Sequence, residues 1–156
     1  MKKVDIVIPD IFKHYTKVGE ACSGPRVLVG ECALVRRGLT SSLSEIMQLS
    51  TLHTGITGIW NPYVMWYFNP FADKYMYTDV SEQHPNILEP TEERALSEFI
   101  MLKEYFNEGI LIEGLKNYIS RHNDLSVLYK VSKDFKLSRD LIDHWINEAY
   151  LDTDEG

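Results

Sequence analysis

Lys130, Lys133, Lys136 and Arg139 recur at every third position, with Arg121 upstream, a spacing that could set cations along a phosphate backbone. Around them Val131, Ser132, Phe135, Leu137, Ile142 and Trp145 follow the apolar and small-residue pattern of a helix-turn-helix. Lys136 stands at the turn position where glycine is usual, and Ser138 opens the helix that would enter a groove. That helix also carries Asp140, Asp143 and Glu148, and base-reading helices rarely offer so many acids to DNA. Two core-packed helices joined by a short turn are therefore the preferred reading, and DNA contact the second. Asp140, His144 and Glu148 share one helical face at i, i+4 and i+8, which could hold a divalent metal. A solvated ladder of weak pairings is the preferred account, and no metal or other cofactor is expected. Arg36, Arg37 and Arg94 are the remaining polar candidates, either for contact with a protein partner or, for Arg94, as an internal brace against a carboxylate.

The elements that must position these residues fit an α+β chain of 156 residues, read as a single domain over 1–156. Its parts are an α+β segment at 1–89, a helical segment at 90–151 and an acidic tail at 152–156. Hydrophobic residues make up 44% and charged residues 25%, which excludes a disordered chain. No apolar run reaches the length of a membrane span and the N-terminus lacks a signal-like apolar core, so no membrane role and a cytoplasmic location are expected. Cys22 and Cys32 form no CxxC pair and read as reduced thiols. The net charge of −7 opposes nonspecific nucleic-acid binding by the whole surface, although basic residues exceed acidic ones through residue 40.

Residues 4–8 read as a strand stopped by Pro9, and 10–22 as a helix capped by Asp10, followed by a turn at Ser23-Gly24-Pro25. Residues 26–29 read as a buried strand leading into a short helix at 30–38. Gly30 opens that helix, Glu31 sits in its first turn, Arg36 and Arg37 in its last, and Gly38 at a left-handed C-terminal position. Residues 40–58 suggest a short helix, with Leu43, Ile46, Met47 and Leu49, then loop or strand. Eight aromatics fill residues 60–77, and Asn69–Lys74 resembles a turn between strands at Tyr63–Phe68 and Tyr75–Val80. The expectation is an antiparallel hairpin whose aromatics build the core rather than stack on bases, because Lys74 is its lone cation. After Pro90 a bundle of about four short helices is expected: one capped by Thr91 and running to about Asn107, one following a break at Gly109, one capped by Asp124 and one by Ser138.

No nucleophile elbow, Walker loop or dinucleotide fingerprint occurs. Val29-Gly30-Glu31, followed by Gly38 and Ser41-Ser42, resembles the opening of nucleotidyltransferases. Glu45 stands alone where those enzymes need paired carboxylates for Mg²⁺, so at most a degenerate transferase is implied. Gly30-Glu31-Cys32-Ala33-Leu34 with Gly38-Leu39, and Pro90-Thr91-Glu92-Glu93-Arg94-Ala95-Leu96, resemble two segments of the AbiEi family, the antitoxins of bacterial type IV toxin–antitoxin systems. The second segment has its proline one place early and an added glutamate. The resemblance covers the family's C-terminal domain over most of residues 25–150, and the stretch before it is too short for the winged helix with which such antitoxins begin. It implies a non-enzymatic interaction protein in a toxin–antitoxin or phage-conflict setting, with a protein partner such as a nucleotidyltransferase-like toxin. A DNA-binding regulator using residues 128–147 is the alternative.

Overall fold

The computed structural model describes residues 26–41, 47–51, 64–69, 73, 75–80 and 87–154. The expected elements at 4–8, 10–22 and 23–25 lie outside those residues, as do Leu43 and Ile46 of the expected short helix, whereas Met47 and Leu49, read with them, stand in a strand. Within them, strand β1 (Arg26–Leu28) leads into helix α1 (Gly30–Arg36), and strands β2 (Met47–Thr51), β3 (Val64–Phe68), β4 (Thr78–Val80) and β5 (Ile87–Pro90) follow. The helical half is α2 (Glu92–Met101), a 3-10 turn at Lys103–Tyr105, α3 (Glu108–Arg121), α4 (Ser126–Asp134) and α5 (Arg139–Asp154). This is the α+β architecture with a C-terminal helical cluster that the residue pattern implies. Helix α5 continues into the segment read as an acidic tail. No helix among the described residues is long and apolar enough to cross a membrane.

The five strands form one mixed sheet in the order β3-β2-β1-β5-β4. β1 is antiparallel to β2 and parallel to β5, β2 is parallel to β3, and β4 is antiparallel to β5. The expected aromatic hairpin is thus absent: its two halves lie at opposite edges of the sheet. The reason is long-range. Asn69, just after β3, donates through Nδ2 to buried Glu98 of α2 at 2.9 Å, and Arg94 of α2 takes the carbonyls of Asp73 and Met76. These bonds tie Asn69, Asp73 and Met76 to α2. Tyr75, expected in the core, is 59% exposed.

Helix α1 forms where its sequence signals place it. Its end is a Schellman motif: Gly38, at φ +70°, donates to Val35 O and Leu39 donates to Leu34 O, both at 2.9 Å. Leu34 and Leu39 are both fully buried. At the other end no side chain of α1's own cap serves; Gln48 of β2 reaches over and accepts the Cys32 N–H through Oε1 at 3.2 Å. The main core joins α1 (Ala33, Leu34), sheet residues (Leu28, Met47, Leu49, Ile87) and inward faces of α2, α3 and α5, including Leu96, Phe99, Leu115 and Trp145.

Thr91 caps α2 as expected, its hydroxyl accepting the Arg94 N–H at 3.2 Å. The helix ends at Met101 rather than near Asn107, and the chain passes through the 3-10 turn to an extended Phe106. Asn107 then caps α3 by accepting the Gly109 N–H at 2.8 Å, so Gly109 lies in a first turn and breaks nothing. Asp124 accepts from Ser126 ahead of α4, whose cap residue is Leu125. Ser138 caps α5 through the Leu141 N–H at 3.2 Å.

Candidate functional site

Helices α4 and α5 meet through a turn of the helix-turn-helix kind. Lys136 adopts φ +63°, the left-handed conformation for which glycine is usual at that position. Its N–H bonds Lys133 O at 2.9 Å and the Leu137 N–H bonds Ser132 O at 3.0 Å, a second Schellman end without glycine. Val131, Ser132, Phe135, Ile142 and Trp145 are buried, as the pattern requires. Ser132 is small for a reason: its Oγ lies 3.0 Å from Ser97 Oγ, where α4 crosses α2 closely. Lys136→Gly should relieve about 1–2 kcal/mol of left-handed strain, against roughly 0.4–1 kcal/mol lost to unfolded-chain entropy. Urea denaturation should show a net gain of roughly 0.5–1 kcal/mol, with Lys136→Ala giving none.

Lys130, Lys133, Lys136 and Arg139 are all exposed around this turn. Lys130, Lys133 and Arg139 border a groove of about 610 Å³ between the helices, floored by Leu137 and Ile142. The Arg139 guanidinium lies 4.4 Å from the centre of the Tyr129 ring. Two acids of the region are engaged by tyrosines: Asp143 accepts from Tyr129 and Asp134 from Tyr77 at 2.5 Å. The Asp134 hydrogen bond is the main cause holding the Tyr77 hydroxyl above its ordinary pKa; for Tyr129 burial leads and Asp143 adds. Along α5, Asp140, His144 and Asn147 are exposed, and toward its C-terminal end Tyr150 and Leu151 are 50% and 58% exposed. The structure brings the four cations to one end of this pair and leaves the exposed apolar side chains of Tyr150 and Leu151 toward the other.

Of the three candidate arginines, Arg94 and Arg36 have side-chain partners within the fold. Arg94 is fully buried and pairs through Nε with Oε1 of equally buried Glu98 at 2.5 Å. Its guanidinium also donates to Asp73 O and Met76 O and lies 5.2 Å from the centre of the Phe135 ring. It is the internal brace of the two alternatives. Arg36 pairs through Nε with Glu89 of β5. Arg37 is half-buried, and its carbonyl receives Arg121 Nη1 at 3.2 Å. Arg121, read as a phosphate contact, in fact closes the C-terminus of α1 by donating also to Gly38 O, and pairs with Glu92 at 2.9 Å.

Asp140, His144 and Glu148 do not converge; His144 packs edge-on against Trp145 with ring centres 5.1 Å apart. Among the described residues, the potential metal-ligating atoms that do come together, within 4.8 Å, belong to Glu92, Glu93 and His122. The two glutamates open α2 and His122 is the C-cap residue of α3. Glu92 Oε2 lies 2.7 Å from His122 Nε2, and Glu93 Oε2 accepts from Tyr118 OH at 2.6 Å. Burial first, and then the Glu93 carboxylate, push the Tyr118 hydroxyl far above its usual pKa. The Tyr118 ring lies against the His122 imidazole with centres 4.2 Å apart. Same-helix spacing could not reveal this cluster, since its halves stand in different helices.

The fold and these sites define an α+β protein with an exposed helix pair; no protein-family model and no curated protein matches the chain.

Proposed function

We propose that the protein is a non-enzymatic interaction domain, resembling the second domain of AbiEi-type antitoxins, that acts through protein contacts in a toxin–antitoxin or phage-conflict setting in the cytoplasm. The observation that carries this reading is the surface of α5, where exposed Asp140, His144 and Asn147 give way to exposed Tyr150 and Leu151. Large exposed apolar side chains suit a protein partner better than a phosphate backbone. The two segments that carry the resemblance support it further. α1 packs directly on α2, and Ala33, Leu34, Leu39, Ala95 and Leu96 are all fully buried. Their spacing is thus that of one packed unit.

The exposed Lys130, Lys133, Lys136 and Arg139, set about a left-handed turn, favour a second reading as a DNA-binding regulator. One set of experiments separates the two. Tagged full-length chain recovered from its host should carry a nucleotidyltransferase-like partner, and Tyr150→Ala with Leu151→Ser should reduce that recovery several-fold. Retention of the partner by that variant, or recovery of none, would overturn the first reading. Salt-dependent binding to the gene's own upstream DNA, abolished by Lys133→Glu, Lys136→Glu and Arg139→Glu together, would establish the second.

A further inference from the structure

We infer that Glu92, Glu93 and His122 bind a divalent transition-metal ion of the zinc class, independently of either reading of function. Three potential ligand atoms within 4.8 Å of one another combine two carboxylates with an imidazole. That mixed nitrogen and oxygen set suits zinc and its neighbours, whereas magnesium and calcium prefer oxygen alone. Three protein ligands leave a coordination position for water. Glu92 and His122 border a groove of about 640 Å³, lined also by Asn117, Ser120 and Arg121, which gives such a water room.

The ligands are held in place from outside the set, as in metal sites whose carboxylates and histidines are oriented by neighbouring donors and packing. Arg121 fixes Glu92 Oε1 at 2.9 Å, and its own position is set by the carbonyls of Arg37 and Gly38. Tyr118 OH fixes one oxygen of Glu93 at 2.6 Å, while the same tyrosine's ring backs the His122 imidazole at 4.2 Å. Tyr118 itself is fully buried, so this support is part of the core. Arg121 offsets one of the two carboxylate charges, which leaves a local charge of −1 before a divalent ion arrives. Without metal the same residues act as an ion-pair link between the start of α2 and the end of α3, and that purely structural role predicts no response to zinc.

Isothermal titration of the full chain with Zn²⁺ should show stoichiometric binding, and thermal denaturation should show a rise in Tm with Zn²⁺ that EDTA reverses. Tyr118→Phe, which removes only the hydrogen bond to Glu93, should weaken the affinity by roughly 10- to 100-fold. His122→Ala should weaken it further, while His144→Ala should leave it unchanged. Should His122→Ala fail to fold, histidine NMR of the wild-type chain decides: Zn²⁺ must shift the His122 ring signals. Zn²⁺ binding that is absent, survives Tyr118→Phe and His122→Ala unchanged, or shifts only other histidines would overturn the inference.

Discussion

Arg94→Met should be among the most destabilising single substitutions in this protein, lowering stability by about 3–5 kcal/mol. Its cause is the carboxylate left behind. Glu98 is fully buried and relies on Arg94 Nε at 2.5 Å and Asn69 Nδ2 at 2.9 Å. Without the guanidinium it keeps one neutral donor, and the carbonyls of Asp73 and Met76 lose theirs. A domain's whole stability is about 5–15 kcal/mol, so the variant should show a visibly unfolded fraction without denaturant. Lysine cannot rescue it, because an ammonium cannot reproduce the guanidinium's fork toward a carboxylate and two carbonyls. Arg94→Met combined with Glu98→Gln should recover part of the loss, since the amide still accepts from Asn69 and no charge remains uncompensated. A urea-denaturation cycle over the two positions should give a coupling of about 1–3 kcal/mol. A loss below about 1 kcal/mol for Arg94→Met would show that the guanidinium does not brace the fold.

This arginine also marks the limit of what could be read from the residues. Gly38, Thr91 and Ser138 end or start helices through bonds spanning a few residues, so their signals survive in the bare sequence. The apolar pattern from Val131 to Trp145 was legible for the same reason, down to the unusual Lys136 in the turn. The strands at β3 and β4 were legible too, but their places at opposite edges of the sheet were not. Asn69-Pro70 with Asp73 carries ordinary turn chemistry, and only the distant Arg94–Glu98 pair shows why the chain does not turn back there. Arg121 was misread likewise: as a cation among cations it suited phosphate, and only the meeting of α3 with the end of α1 reveals carbonyls for it to cap. The same long-range packing that displaced the hairpin assembled Glu92, Glu93 and His122.

Gly30→Ala and Gly38→Ala should differ sharply, although the two glycines share one backbone conformation. Gly30 sits at φ +66° and Gly38 at φ +70°, so alanine costs about 1–2 kcal/mol of left-handed strain at either. Fewer unfolded conformations return about 0.4–1 kcal/mol in both cases. At Gly38 little else follows: the nearest atom to a new Cβ is Arg121 Nη2 at 3.5 Å, an ordinary contact. At Gly30 the Cβ would lie 2.5 Å from Gln48 Oε1 and 2.7 Å from the Phe106 ring. Neither can yield cheaply. The Gln48 oxygen serves as the N-terminal cap of α1 by accepting from Cys32, and Phe106 packs against Phe99 and Tyr67 with ring centres 4.8 and 4.9 Å away. Overpacking of this kind adds about 1–3 kcal/mol. Gly38→Ala should therefore cost about 1 kcal/mol and Gly30→Ala about 2–4 kcal/mol. Urea denaturation measures the gap directly, and equal losses would mean that Gln48 and Phe106 move aside freely. A gap of the expected size would give the first glycine of the Gly30–Leu39 segment a physical meaning: α1 can leave β1 at that angle only where residue 30 has no side chain.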